Sequence, residues 1–242
     1  MRTTSRRELL REAMLIACAI LLYFAVRNWT AGSADAAFAN ADRLLRFELA
    51  FGLAWEAGIQ GAIDGSAALV TLANWVYIWG HWPVILTIAA VLYLARRERY
   101  YLLRNAVFAS GAIGFLFFAL LPVAPPRLLE LGLVDTVTEQ SRSYRALQPP
   151  GLTNQYAAFP SLHAGWNLLV GIVLFGTTRH LLVRAFAVVC PFAMAWAVVA
   201  TANHFVVDVA AGVAVVVVGL AVAHALAARA RDDLATTAPA RF

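Results

Sequence analysis

A histidine and an aspartate four residues apart, His204 and Asp208, are the residues whose types and spacing best suit chemistry. In a helix this spacing places both side chains on one face, one turn apart, and Thr201 or Asn203 can cap such a helix. Asp208 could then accept a hydrogen bond from one imidazole nitrogen and leave the other as a nucleophile or a base. An isolated histidine would more simply be a polar residue at the lipid headgroup level. An aspartate inside an apolar segment costs about 2.5–3.5 kcal/mol to insert into a membrane, so the pair predicts a functional site.

A second histidine follows a proline and a serine in the segment Phe159-Pro160-Ser161-Leu162-His163. Pro160 suits the first position of a helix because its φ is fixed and it lacks an N–H group. The free N–H groups of that first turn and the positive end of the helix dipole form a ready site for a phosphate. Ser161 can add a hydroxyl donor, and His163 places an imidazole beside the same pocket. The segment therefore predicts a phosphate-binding site.

These residues must be positioned by helices in a membrane, because 62% of the 242 residues are apolar and only 14% are charged. Soluble domains have roughly 45–50% apolar and about 25% charged residues. A spanning helix needs about 20 mostly apolar residues. We predict an all-α fold, a single domain over residues 1–242 that forms a bundle of six transmembrane helices. The six predicted spans are Leu10–Trp29, Ala67–Ala95, Asn105–Pro122, Pro160–Thr177, Ala185–Ala200 and His204–Ala228.

The first span has an alternative interpretation as a signal peptide, with Arg6, Arg7 and Arg11 before it and small residues at 34–39 as a cleavage zone. Residues 34–63, between the first two spans, mix charged and apolar residues in a helical rhythm. This pattern, with leucines at 45, 49 and 53 able to share a face, predicts an amphipathic helix at the membrane surface. A short soluble connector helix fits the pattern equally well.

Arginine clusters predict the orientation of the bundle, since basic residues collect on the cytoplasmic side. If the chain has six spans, all four clusters fall on the same side of the membrane. Arg43 and Arg46 of the surface helix count against this orientation. The termini are then cytoplasmic, and the long loop 123–159 and the catalytic candidates lie at the outer face. The clusters are Arg2, Arg6, Arg7 and Arg11; Arg96, Arg97, Arg99 and Arg104; Arg179 and Arg184; and Arg229 and Arg231.

The order of these motifs, all within residues 123–212, resembles the type-2 phosphatidic acid phosphatase superfamily. The segment Ala124-Pro125-Pro126-Arg127 matches its first motif, Pro160-Ser161-Leu162-His163 its second, and His204 with Asp208 its third. The resemblance covers predicted spans three to six, over half of the chain. It implies a membrane-embedded enzyme that hydrolyses or transfers a lipid-linked phosphate.

The sequence departs from the superfamily pattern at three points. Leu162 replaces a glycine, Val198 stands where the third motif usually has an arginine, and no lysine precedes Arg127. Two expected cationic phosphate clamps are therefore missing. Arg142 and Arg145 in the outer loop could replace them, but solvated loop charges are the simpler interpretation of these two arginines.

Residues Pro160–Trp166 are similar to the inositol-phosphorylceramide synthase branch of the superfamily. Asn74, Tyr77 and His81 on the second span also look like that branch. They are spaced to share a helical face, so they could bind a headgroup or could equally make interhelical hydrogen bonds and aromatic packing. This branch leads us to expect transfer of a phospho-headgroup such as phosphoinositol.

The resemblance implies a reaction in two steps. His204, oriented by Asp208, would attack phosphorus and form a phosphohistidine while His163 protonates the leaving oxygen. His163 would then deprotonate the acceptor, which is either water or an alcohol. Arg127 and Ser161, with the helix N–H groups, are the available donors to the phosphoryl oxygens, and Asn203 is counted with these binding residues.

The remaining expectations concern partners. We expect a membrane lipid substrate, no metal or other cofactor, and no nucleic acid, because the basic residues flank apolar segments instead of forming patches. The two cysteines, Cys18 and Cys190, lie in apolar stretches and indicate no disulfide framework. The alternative to an enzyme is a lipid-binding or transport protein whose polar residues only line a cavity.

Overall fold

The computed structural model describes residues 6–30, 34–141 and 154–237, and it confirms an all-α fold. Within these residues the only strand-like pairing is an isolated bridge between Val123 and Ala157. The helices are α1 Arg6–Thr30, α2 Ala34–Phe51, α3 Glu56–Asp64, α4 Ala67–Trp79, α5 Trp82–Ala95, α6 Arg97–Leu120, α7 Thr136–Gln140, α8 Leu162–Phe175, α9 Leu181–Ala200 and α10 Val206–Thr237, with a 3-10 turn at Pro126–Leu128.

Several of these helices are long and apolar enough to cross a membrane. Among the described residues, four helices have the length and the apolar composition of a membrane span, namely Arg6–Val26, Arg97–Leu120, Leu181–Ala200 and Val206–Asp232. Helices α4 and α5 would add a fifth if they form one span bent by 44°. Helix α8 is apolar but has only 14 residues. The prediction of a polytopic membrane protein is supported, and the number six stays a prediction.

The second predicted span is not one continuous helix. It breaks at Gly80 and His81, between α4 and α5. Pro83 explains the break, because a proline inside a helix removes a hydrogen bond and its ring clashes with the carbonyl four residues earlier, here that of Trp79. The break places His81 at the start of α5 instead of on the face of one long helix.

The predicted surface helix is also divided, into α2 and α3. The chain turns between them at Gly52, which has a positive φ of 68°. Leu49, on the predicted apolar face, is 63% exposed. Helix α2 buries Ala37, Ala41 and Glu48, the two alanines against Val123 and Ala158 and the glutamate against the start of α10.

The centre of the bundle is formed by α6, α8, α9 and α10. Helix α10 packs against α6 and α8, and α9 packs against α8 and α4. Helix α1 joins the bundle through α6, where the buried Glu12 carboxylate pairs with Arg104 and accepts a hydrogen bond of 2.9 Å from the Tyr100 hydroxyl. This architecture brings the starts of α8 and α10 together at one end of the bundle.

Candidate active site

Ser161 begins the site by capping helix α8. Its Oγ accepts a 3.4 Å hydrogen bond from the Ala164 N–H, and its own N–H donates to the Asp208 carbonyl at 2.9 Å. Helix α8 begins at Leu162, so the prediction that Pro160 occupies the first helical position is wrong. A serine side chain satisfies a first-turn N–H group, which a proline cannot do.

The first turn of α8 still has the donors that a phosphate requires. The backbone N–H groups of Leu162 and His163 have no acceptor within the described part of the chain. Such groups at a helix start attract anions, because the helix dipole places partial positive charge there. The backbone of this turn and the His163 ring thus face the same end of the bundle.

His204 lies in a tight turn between α9 and α10. Ala202 has a positive φ of 53°, and the Asn203 and His204 N–H groups both donate to the Val198 carbonyl, at 3.0 and 3.1 Å. The prediction that Thr201 or Asn203 caps the last helix is wrong, since α10 begins only at Val206.

Asp208 supplies the cap of α10 instead. Its Oδ2 accepts a 2.8 Å hydrogen bond from the N–H of Phe205, the residue before the helix. A carboxylate at the third helical position that reaches back in this way is one half of a capping box. Asp208 is completely buried, and its Oδ1 has no hydrogen-bond partner among the residues that the structure describes.

The hydrogen bond that sets the His204 tautomer goes to the backbone. Nδ1 lies 2.7 Å from the Ala158 carbonyl oxygen and 3.4 Å from Oδ2 of Asp208. A carbonyl only accepts, so Nδ1 carries the proton and Nε2 keeps its lone pair. Burial lowers the pKa of His204 to about 3; the bond to Ala158 opposes this shift and nearby Arg127 adds to it. The ring is neutral at physiological pH.

The two candidate histidines come from different helices and meet. The ring centroids of His163 and His204 are 6.0 Å apart, at an interplanar angle of 51°. Tyr77 and His81 both stack on His163, with centroid distances of 4.7 and 4.0 Å. The helix break invalidates the predicted shared face for His81, yet both side chains reach the site.

Asn167, which the sequence analysis missed, links two of these histidines. Its buried amide NH2 group lies 3.1 Å from Nδ1 of His81 and donates to the His163 carbonyl at 2.9 Å. An amide NH2 only donates, so Nδ1 of His81 accepts and its proton lies on Nε2. Asn167 follows His163 by four residues, and this helical spacing was the available signal.

Arg127 is held next to the His204 turn. Its N–H donates to the Ala202 carbonyl at 3.0 Å, its guanidinium donates to Oδ1 of Asn203, and its Nε lies 3.0 Å from Oδ2 of Asp135. Asn203 therefore contacts the predicted clamp through its amide oxygen.

Asn74 has both ends of its amide engaged by Thr136. Its Nδ2 donates to the Thr136 carbonyl at 2.9 Å, and its Oδ1 accepts from the Thr136 hydroxyl at 2.8 Å. These contacts connect α7, the short helix that follows Asp135, to α4. They match the interhelical alternative for Asn74.

The residues that depart from the superfamily pattern are apolar and packed. Val198 is fully buried in a cluster with Tyr77, Met194 and Ala197, so no cation occupies that place. Leu162 packs against Gly114 of α6, where an added Cβ would lie 2.9 Å from the Leu162 methyl groups. Arg142 and Arg145 lie outside the described residues.

The comparisons with known proteins agree with this geometry. A family model described as PAP2 superfamily matches residues 42–222, which is most of the chain. The chain belongs to the PAP2 superfamily. No curated protein matches the sequence. Among solved structures, the crystal structure of Aquifex aeolicus LpxE matches with a TM-score of 0.54 and 16% identity, covering 69% of this chain and 91% of that chain.

At that identity the LpxE match shows a shared fold, while PAP2 membership indicates a membrane lipid phosphatase. The PAP2 region begins within α2 and ends within α10. It therefore includes both histidines, Asp208 and Arg127, and it also includes α3 and the second half of α2.

Proposed function

We propose that this PAP2 protein breaks the phosphoester bond of a membrane lipid through a phosphohistidine at His204. The observation that carries the proposal is the His204 tautomer: Nδ1 donates to the Ala158 carbonyl, so the Nε2 lone pair is available, and the His163 ring lies 6.0 Å away. A neutral imidazole with a defined lone pair is a competent nucleophile.

In the first step, Nε2 of His204 forms a bond to phosphorus and the bond from phosphorus to the lipid oxygen breaks. His163 enters this step as the imidazolium and donates a proton to that leaving oxygen, which leaves the His163 ring neutral. In the second step, the acceptor oxygen attacks the phosphohistidine, His163 takes the acceptor proton, and His204 is released. Asp208 at 3.4 Å stabilises the positive charge that His204 gains.

Arg127, Ser161 and the first-turn N–H groups of α8 are the proposed donors to the phosphoryl oxygens. Arg127 lies beside the His204 turn, and the Ser161 hydroxyl can donate its hydrogen while its oxygen accepts from Ala164. Preorganised donors of this kind stabilise charge in the transition state. Tyr77 and His81, stacked on His163, are the proposed contacts to the headgroup.

The charge of the site favours a phosphodiester donor and headgroup transfer over hydrolysis of a phosphomonoester. A monoester carries about 1.5 to 2 negative charges at neutral pH, whereas a diester carries about one. Val198 occupies the place of one cationic clamp and is packed among apolar side chains. This supports the inositol-phosphorylceramide synthase-like function, with phosphoinositol as the candidate headgroup and an alcohol as the acceptor.

A lipid turnover assay tests this function. The purified protein is incubated with vesicles of mixed phospholipids, with and without an added lipid alcohol such as a ceramide. We expect a new phospholipid without release of free phosphate or of a free phosphorylated headgroup. Release of either water-soluble product without a new phospholipid would instead assign hydrolysis, with water as the acceptor.

Variants separate the enzyme from a non-enzymatic lipid-binding or transport protein. We expect His163→Ala and His204→Ala to abolish turnover, and His204→Ala also to abolish covalent labelling from a lipid with a labelled phosphate. His224→Ala is the control, because His224 lies far along α10 from the site. Intact turnover in both site variants would exclude the proposed mechanism.

We also propose that the site faces the extracytoplasmic side, with both termini in the cytoplasm. The support is the distribution of arginines, which flank the ends of α1, α6, α9 and α10 remote from His163 and His204. Reporter fusions at the C terminus test this orientation, and an extracytoplasmic C terminus would contradict it.

A further inference from the structure

The first turn of α10 is capped by three carboxylates from three different helices. Each accepts a hydrogen bond from one of the successive backbone N–H groups of residues 205–207. Asp208 of α10 accepts at 2.8 Å, Glu56 of α3 at 2.8 Å and Glu48 of α2 at 2.7 Å. A helix start normally leaves such donors for solvent or one capping side chain. Here α2 and α3 supply two of the three acceptors, so these helices hold the turn that bears His204.

The two glutamate carboxyl groups are buried. Glu48 is 0% exposed and Glu56 is 4% exposed, and within the described residues no donor pairs with Oε2 of Glu48, whose neighbour is the Glu56 carboxyl group. No basic side chain pairs with either glutamate in the parts of the chain that the structure describes. An unpaired buried charge is costly, so such a group normally becomes neutral.

A proton on Glu48 explains this arrangement. Burial, and then the neighbouring Glu56 carboxyl group, raise the pKa of Glu48 to about 8, although the Val207 N–H opposes the shift. The titratable groups that face Glu48 are Glu56 from α3 and Asp208 from α10. Among the described residues no three acidic, histidine or cysteine side chains are arranged to hold a metal ion.

We propose that Glu48 and Glu56 are positioning residues that hold the catalytic turn and share one proton between their carboxyl groups. The effects on kcat that we expect rest on the proposed function, in which His204 is the nucleophile. Glu56 binds the N–H two residues after His204, and Glu48 binds the N–H just before Asp208. The surface helices thereby fix the distance between the nucleophile and its carboxylate, and the shared proton limits the negative charge beside them.

Substitutions at Glu48 separate its hydrogen bond from its charge. Glu48→Gln keeps an acceptor for the Val207 N–H and a donor for Glu56, as the protonated acid does, so we expect kcat within about threefold of wild type. Glu48→Ala removes a buried acceptor, and we expect kcat to fall at least about tenfold with little change in KM. Asp42→Asn is the matched control on α2, because Asp42 is exposed in a surface ion pair with Arg46.

The pH profile tests the shared proton. Above its raised pKa Glu48 would be ionised beside the Glu56 and Asp208 carboxyl groups, so activity should fall as the pH rises through about 8. Thermal stability should fall as the pH rises from about 4.5 to about 8, because in that range only the folded state holds the proton on Glu48. Glu48→Gln should abolish this alkaline loss. An infrared band of a protonated carboxylic acid, present at neutral pH in wild type and absent in Glu48→Gln, gives a readout that needs no enzymatic activity.

Three outcomes would overturn the inference. These are a Glu48→Ala variant with wild-type kcat, a Glu48→Gln variant that fails to fold or loses as much kcat as Glu48→Ala, and an unchanged infrared spectrum. If the wild-type protein shows no lipid turnover, the proposed function fails, while the infrared measurement still decides whether Glu48 holds a proton.

Discussion

Gly212 of α10 lies against the backbone of Ser161 so closely that an added Cβ atom would be 2.2 Å from the Ser161 carbonyl oxygen. Gly165 of α8 makes the reciprocal approach, since its Cβ would be 2.7 Å from the Gly212 carbonyl oxygen. Only glycine permits two helix backbones to approach in this way. The contact joins the start of α8 to the first turns of α10, and it therefore sets how near His163 comes to His204.

Gly212→Ala should separate the two histidines. We expect a loss of about 1–3 kcal/mol in stability from overpacking against rigid backbone, together with a fall in kcat. Thermal unfolding and lipid turnover measure the two effects. Gly61→Ala in α3 is the control, because a Cβ there meets nothing within 4 Å and should leave activity unchanged. Wild-type activity in Gly212→Ala would show that the close contact does not position the site.

Asp208→Asn tests how the catalytic histidine is held. The Ala158 carbonyl keeps the His204 tautomer, and an asparagine oxygen can still accept from the Phe205 N–H. We therefore expect kcat to fall about 10- to 100-fold from the lost charge, corresponding to about 1.5–3 kcal/mol, with the fold intact. Asp208→Ala should lose more, because it also removes the acceptor that caps the helix. Equal losses in the two variants would contradict a separate role for the Asp208 cap.

Arg127 should contribute to phosphate binding through its guanidinium. We expect Arg127→Ala to lower kcat/KM about 10²- to 10³-fold, as loss of a transition-state donor does. Arg127→Lys should recover only part of this, because the guanidinium contacts Asn203 and Asp135 through two separate nitrogens of a planar fork, which an ammonium does not have. Arg43→Ala, on the exposed side of α2, is the control for loss of an arginine. A kcat/KM within threefold of wild type in Arg127→Ala would remove this residue from the mechanism.

Asn74 should act through Thr136 and not on the lipid. Both polar ends of its amide bind Thr136, so Asn74→Ala and Thr136→Val should destabilise the protein similarly. The double variant should cost less than the sum, because the two changes disrupt one interaction. A double-mutant cycle in thermal unfolding and in KM measures this coupling. Additive effects with a KM change confined to Asn74→Ala would favour headgroup binding.

The neutral His204 should make the protein less stable in acid. Burial lowers its pKa to about 3, whereas an unfolded histidine titrates near about 6.5. Between these values the unfolded state binds more protons, so the free energy of unfolding falls as the pH drops from about 6.5 toward 3. His204→Asn should flatten this fall in thermal unfolding, and His180→Asn controls for loss of a histidine. An unchanged slope in His204→Asn would contradict a buried neutral ring.

Much of the membrane character and part of the candidate site could be predicted from residue types and spacing. Apolar runs predict helices wherever they are long enough, and the four-residue interval between His204 and Asp208 is a local property of a helix. Rules that consider only neighbouring residues predicted the wrong helix boundaries. Pro83 broke a predicted span, and Ser161 and Asp208 capped helices that Pro160 and Asn203 were expected to begin.

The sequence by itself determined that two histidines and an aspartate stand at helix starts in an apolar chain. Only the tertiary structure decided that the Ala158 carbonyl orients His204, that Asn167 links His81 to His163, and that Glu48 and Glu56 hold the turn. The physical reason is distance along the chain. Val207 and Glu48 are 159 residues apart, and neither periodicity nor propensity carries information about which buried donor meets which acceptor once the helices have packed.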